Sequence, residues 1–537
     1  MTILLSRISR GFKRRWVHAR NNRRLMSLVK QVEDHSPVSN VQPVIFFNAS
    51  TRLSGVSLNA AFSLLSAWAL RLSGIPVLNF VCDSGLSRCV LGTNRDDPSV
   101  LPPCAECIAQ SQVLYHSENV RTFRFQSDPA MECIIADLDL DAMESFTYQG
   151  MPLGELVFPS LRWILRRHHL TDDERTTALC RDYIRSAWYC AKEFSTLLDD
   201  VNPSVVVVFN GMFYPEAAAR WVAQKRIPPL KVISHEVGLR PFTGFFTTGE
   251  ATAYPIDIPE DFDLDLGQLL QIEKYLEQRF KGNFSMAGIR FWPEMKKIEA
   301  EFWDKASNFT QIVLVFTNVI FDTSQSHANV VFPHMFAWLD LVAEIIRDRP
   351  DTLFVIRAHP DENRPGKESC ESVADWVTQS GISDLPNIIF VDADEHFSSY
   401  ELIQNSKFVM VYNSTIGLEA SLLGIPVLCG GKARFTQLPT VFFPETPSAY
   451  KKQAENFLSE ESIDVPAEFK HHAYRFLYYQ IYKTSLRFDD FLQEDGVWKG
   501  YVSFKSLTWE DLLPENSKTL KMIVDGLIYG KPFLAEE

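Results

Sequence analysis

The residues that most directly suggest chemistry follow an apolar run near residue 410. Residues 407–412 read as a strand buried on both faces, since parallel strands covered by helices need not alternate polar and apolar side chains. Asn413, Ser414 and Thr415 then offer capping side chains and free backbone N–H groups at a helix start, which is typical of an anion site. Glu419 lies four residues after Thr415 and therefore on the same helical face. A phosphate and a ribose hydroxyl would satisfy both groups, so this segment predicts a nucleotide site.

Polar residues also follow three other apolar runs in the same part of the chain. They are Asn318 and Asp322 after residues 311–316, Arg357, His359 and Glu362 after residues 352–356, and Gly430 after residues 425–428. Ligands of open α/β sheets collect at the carboxyl ends of the strands, so this convergence predicts a single binding wall. Arg357 offers a planar fork for phosphate or carboxylate, and His359 could donate to a phosphate oxygen or act as an acid toward a leaving phosphate. Asp322 would bind substrate or act as a base, or would instead hold a local turn.

The first half of the chain shows the same alternation of strands and helices. Its apolar runs occupy residues 43–48, 76–81, 204–209 and 231–236. His235 and Glu236 end the last run, where they would face a cleft and help to deprotonate an acceptor hydroxyl, with a structural salt bridge as the alternative. Alternation in both halves predicts two parallel sheets, each covered by helices on both faces.

Four of the nine cysteines form a separate cluster. Cys82, Cys89, Cys104 and Cys107 are spaced C-x6-C-x14-C-x2-C and lie near Pro and Gly residues typical of loops. Thiolates presented from tight loops suit tetrahedral zinc, so a structural zinc site is one interpretation. Four unrelated thiols are the other. The odd count and the lack of a secretory signal argue against a disulfide framework.

The charge of the chain is distributed unevenly. The formal net charge of the 537 residues is −14, yet residues 1–30 contain nine Lys or Arg and no acidic residue. An acidic body is a poor match for nucleic acid, so we expect no nucleic-acid partner. The basic start would lie on a membrane surface as a helix, giving peripheral membrane contact, or would dock on the acidic body. No run is long enough to span a bilayer, so we expect a cytoplasmic protein, or one at the inner face of the cytoplasmic membrane.

Composition shifts along the chain predict five segments. They are a basic leader at 1–35, a Rossmann-like domain at 36–255 with the cysteine cluster and a helical insert, a helical linker at 256–308, a Rossmann-like nucleotide domain at 309–460, and a helical tail at 461–537.

With these residues in place, the chain resembles the bacterial capsule and surface-polysaccharide biosynthesis glycosyltransferases. The resemblance rests on Thr317-Asn318…Asp322, on Arg357-Ala-His359-Pro360-Asp-Glu362, and on Tyr412-Asn-Ser414-Thr415-Ile-Gly417-Leu-Glu419…Gly424-Ile-Pro426-Val, and covers roughly residues 310–450. It implies the GT-B fold, in which two Rossmann-like doubly wound domains face each other across a cleft, here with extra helices.

The implied activity is transfer of a sugar from a nucleotide-sugar donor to a polysaccharide or glycolipid acceptor, without a redox cofactor. Some relatives use a CMP-activated acidic sugar of the Kdo type. By that resemblance His359, Ser414, Thr415 and Glu419 contact the nucleotide, and Arg357 contacts the phosphate or sugar acid. Three alternatives remain open, namely a CDP-glycerol-type glycerophosphotransferase, a nucleotide-sugar 2-epimerase, and a non-catalytic GT-B scaffold in polysaccharide assembly.

Overall fold

The computed structural model describes residues 2–49, 55–115, 120–252, 256–281, 297–395, 397–497 and 500–536, with side chains from residue 13 onward. Three parts of the sequence predictions lie outside this set. They are the side chains of residues 1–12 in the basic leader, the boundary residue 255, and residues 282–296 of the linker.

Fifteen strands and eighteen helices make up the described chain. The strands are β1 (Val44–Asn48), β2 (Val56–Ser57), β3 (Val77–Cys82), β4 (Val120–Phe123), β5 (Val205–Phe209), β6 (Lys231–Val237), β7 (Thr243–Thr247), β8 (Gln311–Phe316), β9 (Thr352–Arg357), β10 (Ile388–Val391), β11 (Phe408–Val411), β12 (Val427–Cys429), β13 (Leu486–Arg487), β14 (Leu492–Glu494) and β15 (Tyr501–Phe504). The helices are α1 (Thr2–His35), α2 (Leu58–Leu72), α3 (Cys104–Leu114), α4 (Pro129–Ala136), α5 (Leu140–Glu144), α6 (Leu153–Leu165), α7 (Glu174–Val201), α8 (Tyr214–Gln224), α9 (Leu266–Phe280), α10 (Ala300–Ala306), α11 (Gln325–Ala328), α12 (Met335–Asp348), α13 (Val373–Gln379), α14 (Ser399–Gln404), α15 (Ile416–Leu422), α16 (Pro447–Ser459), α17 (Ala467–Tyr478) and α18 (Lys518–Tyr529).

The first half of the chain is organised around a seven-stranded sheet of order β13-β7-β6-β5-β1-β3-β4. The five strands from β6 to β4 are parallel, and β7 and β13 add antiparallel pairs at one edge. Along β1, Phe46 enters one apolar core while Ile45 and Phe47 enter another. Both faces are therefore buried, which explains why the strand reads as an unbroken apolar run.

The second half contains a five-stranded sheet of order β10-β9-β8-β11-β12, in which every pair is parallel. Its strands also alternate between two cores, with Leu314 and Phe316 of β8 in one and Val313 and Val315 in the other. Helices cover both faces, as the sequence predicts. The two sheets confirm the α/β fold class with two Rossmann-like doubly wound halves.

The end of the chain returns to the first half. Strand β13 joins the first sheet, and β14 and β15 form a small antiparallel sheet with β2. Helix α18 packs against α2. The predicted helical tail therefore also supplies three strands, because the chain crosses back over the linker to close the first domain.

The basic leader forms the 34-residue helix α1. Its second part is packed, since Leu25, Leu28 and Val32 are buried and the Asn21 side chain accepts a hydrogen bond from the Phe504 N–H at 3.0 Å. This part of the helix is therefore docked on the body of the protein, which is one of the two alternatives that the sequence predicts. Among the residues described, no helix combines the length and the apolar character that crossing a membrane requires.

Candidate functional site

The carboxyl ends of β8, β9 and β11 lie side by side, because these strands are neighbours in the second sheet. The Thr317 N–H and hydroxyl both donate to the Arg357 carbonyl, at 3.2 and 3.1 Å. The Asn413 N–H donates to the Asn318 side-chain oxygen at 3.3 Å. Three of the four strand ends that the sequence singled out are therefore linked into one polar shelf.

Arg357 is the most unusual residue of this shelf. It is only 4% exposed, its Nη2 donates to the Glu395 carbonyl at 3.4 Å, and its Nη1 is buried with no hydrogen-bond partner among the described residues. Burial lowers the pKa of Arg357 to about 10, against an opposing effect of Glu395. A buried cation is costly unless it is paired, so this guanidinium is set up to receive an anion.

His359 follows Arg357 by two residues and begins the short 3₁₀ turn Pro360–Asn363. Its Nδ1 accepts the Asp361 N–H at 3.1 Å, so the neutral ring carries its proton on Nε2. Burial lowers the pKa of His359, while Asp361 and Asp322 act to raise it. The ring can thus donate an Nε2–H bond to a phosphate oxygen.

Asp322 is exposed and holds its own turn, accepting the Ser324 N–H at 2.8 Å and the Ser324 hydroxyl at 2.6 Å. This is the local-turn alternative. Its effect on the pKa of His359 nevertheless shows that the carboxylate lies near the shelf.

The turn at Asn413, Ser414 and Thr415 provides uncommitted hydroxyls. Asn413 accepts a hydrogen bond from Gln325 at 3.3 Å, whereas the hydroxyls of Ser414 and Thr415 make none within the described part of the chain. Thr415 is the N-cap of α15 and does not cap it through its side chain. Because α15 has only seven residues, its dipole is short, and binding here would depend mainly on the hydroxyls and on Arg357 and His359.

Glu419 has protein partners on both of its oxygens. One oxygen accepts from Arg279 of α9, with Nε and Nη2 each at 2.6 Å, and the other accepts from the Tyr400 hydroxyl at 2.6 Å. Glu419 is only 4% exposed. A ribose hydroxyl would have to share a carboxylate that already anchors the linker helix to the nucleotide domain. Sequence reasoning missed Arg279 because it lies 140 residues away.

Two further predicted binding residues are also engaged in packing. Glu362 is 1% exposed and accepts the Val373 N–H at 3.3 Å, and burial raises its pKa to about 8. The Gly430 N–H donates to the Val411 carbonyl at 2.8 Å. A Cβ on Gly430 would lie 2.5 Å from Trp338, so only glycine fits beneath that ring.

In the first half, Glu236 is held by three neutral donors. It accepts from the Asn59 amide at 2.8 Å, from the Val237 N–H at 2.8 Å and from the Asn210 amide at 2.8 Å. Adjacent His235 is 2% exposed, contacts Asn59 at 3.3 Å, and has its pKa lowered to about 3 by burial. His235 is therefore neutral, and the adjacent Glu236 side chain is fixed in place by its three donors.

The Glu236 network lies between two pockets. The first lies at the boundary of the halves, lined by Glu236, Val237, Gly238, Leu239, Phe245 and Ala251 of the first half, by Arg434 of the second, and by Gln480, Thr484 and Ser485 of the segment that leads back into the first sheet. The second lies within the first half and is lined by residues including Asn59 and His235. The pocket at the boundary thus reaches the Glu236 carboxylate.

Polar contacts join the halves beside this pocket. Within the first half, Glu250 forms an ion pair with Arg220 at 2.6 Å, and it lies 3.7 Å from the His327 Nε2 of the second half. The Arg434 guanidinium donates to the Thr252 carbonyl at 3.3 Å. Burial lowers the pKa of His327, with Arg220, Lys432 and Arg434 adding to this effect and Glu250 opposing it, so the His327 ring that Glu250 contacts is neutral.

The four clustered cysteines lie close enough to affect one another. Burial raises the pKa of Cys82 to about 11, of Cys89 to about 12 and of Cys107 to about 11, and neighbouring thiols, including Cys104, add to each shift. The Gly85 and Gly92 N–H groups donate to the sulfurs of Cys82 and Cys89, both at 3.2 Å. Such N–H···S bonds and mutual repulsion suit a bound cation. No three of these sulfurs lie within 4.8 Å of one another in the described residues, so zinc stays a prediction.

The comparisons with known proteins support the family resemblance. Residues 283–440 match the model of a family described as "Capsule polysaccharide biosynthesis protein". This range contains β8 to β12 and every predicted nucleotide-binding residue, which confirms the resemblance for this segment. No curated protein matches the chain.

Solved structures with a similar arrangement are distant in sequence. KpsC of Thermosulfurimonas dismutans as a beta Kdo 2,4 transferase shares 12% identity over 52% of this chain and 80% of that one, with a TM-score of 0.34. The beta Kdo 2,7 transferase of the same KpsC shares 14% sequence identity over 60% of this chain and 86% of that one, with a TM-score of 0.33. UDP-GlcNAc 2-epimerase from Neisseria meningitidis shares 12% identity over 81% of this chain and 96% of that one, with a TM-score of 0.25. The fold assignment rests on the two sheets themselves.

Proposed function

We propose that this protein is a GT-B glycosyltransferase of capsule or surface-polysaccharide synthesis that uses a nucleotide-activated sugar. The observation that carries the proposal is the buried Arg357, whose Nη1 has no partner in the described chain and which lies on the strand-end shelf with His359. A diphosphate, a phosphodiester or an acidic sugar would supply the missing negative charge. The family match covers the same shelf.

The donor side of the reaction falls to the second half. Arg357 and the His359 Nε2–H would bind the phosphate that leaves the sugar, and the Ser414 and Thr415 hydroxyls would bind the rest of the nucleotide. As the sugar–phosphate bond breaks, its electron pair passes to a phosphate oxygen, and these donors stabilise the added charge. The buried Arg357 guanidinium would also pair with the carboxylate of an acidic donor of the CMP-Kdo type.

The acceptor side falls to the first half. Glu236, held at the pocket shared by both halves, would take the proton from an acceptor hydroxyl as its oxygen attacks the sugar. Its three neutral partners orient the carboxylate without neutralising it. Neutral, buried His235 would support this arrangement through Asn59.

Four exposed residues of α1 support a membrane-proximal location. Lys13, Arg14, Arg15 and Trp16 are exposed, and the next residue, Val17, is buried. Basic residues with an exposed Trp favour an anionic lipid surface. Co-sedimentation with anionic vesicles, lost on changing the three basic residues to Glu, would test this contact.

Turnover assays test the proposed activity against its alternatives. Purified protein would be incubated with CMP-, UDP- and GDP-activated sugars and with CDP-glycerol, each with and without a polysaccharide or glycolipid acceptor. The proposal predicts nucleotide release from one activated sugar that depends on acceptor. Conversion of the donor without acceptor would indicate an epimerase, consumption of CDP-glycerol a glycerophosphotransferase, and binding without turnover a scaffold.

A further inference from the structure

Three histidines from both halves of the molecule meet at one point. His168 and His169 follow α6 in the first half, and His334 is the N-cap of α12 in the second. The ring centroids of the three pairs lie 4.9, 4.7 and 4.7 Å apart. One candidate ligand nitrogen from each ring lies within 4.8 Å of the others. This near-equilateral triangle is the spacing of three imidazoles around one ion, for which ring centroids of about 5 Å are expected.

The surroundings of the triangle resemble the outer shell of a metal centre. Glu371 of the second half contacts the His169 Nδ1 at 2.5 Å and accepts the backbone N–H groups of His168 and His169 at 2.8 and 3.0 Å. A carboxylate that accepts from Nδ1–H leaves the Nε2 lone pair free and raises its basicity. Burial, with Arg162 and the other two rings, lowers the pKa of His168 to about 3, so this ring is neutral.

His334 would have to give up a hydrogen bond in order to bind an ion. Its Nδ1 accepts the Ala337 N–H at 3.1 Å and so caps α12. A neutral imidazole has one nitrogen lone pair, so binding an ion would exchange this cap for a coordinate bond. The positive charge of Arg162 disfavours a cation at this site and the negative charge of Glu371 favours one. The identity of the metal therefore depends on the three ligand atoms. Three imidazole nitrogens favour zinc, copper, nickel or cobalt over magnesium or calcium.

We propose that His168, His169 and His334 form a Zn²⁺-class transition-metal site that joins the two halves of the molecule. The halves already meet here, because the Cys370 N–H donates to the Arg166 carbonyl at 2.8 Å. His359 of the shelf and Glu371 beside the histidines lie on the same loop, so a bound ion would fix the end of that loop farther from the shelf. The metal site is proposed whether or not the cysteine cluster binds zinc and whether or not the protein transfers a sugar.

Cobalt binding tests this site apart from the cysteines. Metal-stripped protein carrying Cys104→Ser and Cys107→Ser would be titrated with Co²⁺ and followed by visible absorption. The proposal predicts about one Co²⁺ per chain, with d–d bands and no thiolate charge-transfer band, and displacement by Zn²⁺. His334→Asn should weaken binding at least about tenfold, since asparagine keeps the helix cap but removes the imidazole.

Matched variants make the result decisive. His169→Ala should weaken Co²⁺ binding as His334→Asn does, whereas His471→Ala, an exposed histidine on α17, should leave the Kd unchanged. Zn²⁺ should raise the Tm of the Cys104→Ser, Cys107→Ser protein and not that of its His334→Asn derivative. No stoichiometric Co²⁺ binding, or the same Kd in His334→Asn, would overturn the proposal whatever the turnover assays show.

Discussion

The two halves place polar groups at the ends of their parallel strands in opposite ways. In the second half, the Arg357 Nη1 and the Ser414 and Thr415 hydroxyls have no partners in the described chain. In the first half, the Glu236 carboxylate accepts three hydrogen bonds, from Asn59, Asn210 and Val237, and keeps one of its roughly four lone-pair sites for a proton. The contrast indicates a shelf whose donors are available to an anion and a carboxylate that is already positioned. Donor binding and proton transfer would thus be divided between the halves.

The largest effect is expected from Glu236→Gln, which tests the first half of the comparison. Glutamine keeps an acceptor for Asn59 and Val237, and only the Asn210 contact, whose amide oxygen also accepts the Met212 N–H at 3.1 Å, would be weakened, so the fold should be retained. Loss of the base should lower kcat by about 10²–10⁴, with the nucleotide Kd unchanged. Steady-state turnover and calorimetric binding measure the two separately. Glu344→Gln, at an exposed glutamate, is the control, and turnover equal to it would exclude Glu236 as the base.

Glu419→Gln asks whether Glu419 belongs to the shelf or to the packing beneath it. The change removes the carboxylate that contacts Arg279, whose side chain is 15% exposed, and should cost about 3–5 kcal/mol of unfolding free energy. Chemical denaturation measures this loss. The double variant Glu419→Gln, Arg279→Met should recover part of it, because it removes the guanidinium together with the carboxylate. Weaker nucleotide binding with unchanged unfolding free energy would instead place Glu419 on the ribose.

His359→Ala should have a smaller effect, on nucleotide binding at the shelf of the second half. Removal of one Nε2–H donor to phosphate should weaken nucleotide binding by about tenfold. Because burial lowers the pKa of His359, the ring is neutral at pH 7 and the affinity should not change sharply near pH 6.5. Calorimetry at several pH values checks both expectations. A steep gain in affinity on acidification in the wild type, absent in His359→Ala, would show that the charged ring binds instead.

The smallest effect is expected from Glu362→Gln, which probes the packing under the shelf. The folded protein holds the proton of Glu362 up to pH 8 or so, whereas the unfolded chain releases it at a lower pH. The folded state therefore binds more protons, and the stability of the wild type should fall as pH rises between these values. In Glu362→Gln, the fall in unfolding free energy between pH 5.5 and 8 should be smaller than in the wild type by at least about 1 kcal/mol. Unfolding free energies at pH 5.5 and 8 that change equally in both proteins would contradict the assignment.

The sequence predicts well what depends on local pattern. Apolar runs such as 311–316 and 352–356 become parallel strands, and the polar residues that follow them converge because adjacent parallel strands end at the same edge. The place of Arg357 at the end of a strand is also visible from the sequence. These predictions need only periodicity and the direction of the strands.

The sequence does not determine the contacts between residues that are far apart in the chain. A pattern of residues does not show that Glu419 meets Arg279, that Gly430 lies under Trp338, or that Glu362 faces the start of α13. The meeting of His168, His169 and His334 depends on how the two halves pack. These contacts join residues that are far apart in the chain, and they decide which polar groups remain available.

The most direct measurement is a calorimetric titration of the nucleotide product found in the turnover panel into wild type, Arg357→Met and the control Arg347→Met. Arg357 forms no ion pair within the described chain, so its replacement should leave the fold stable while weakening nucleotide binding by about 10–100-fold. Arg347 is exposed and donates to the Ser380 carbonyl at 2.7 Å, so its variant should bind as the wild type does. Equal affinity in Arg357→Met and the wild type would contradict the assignment of the shelf as the donor site.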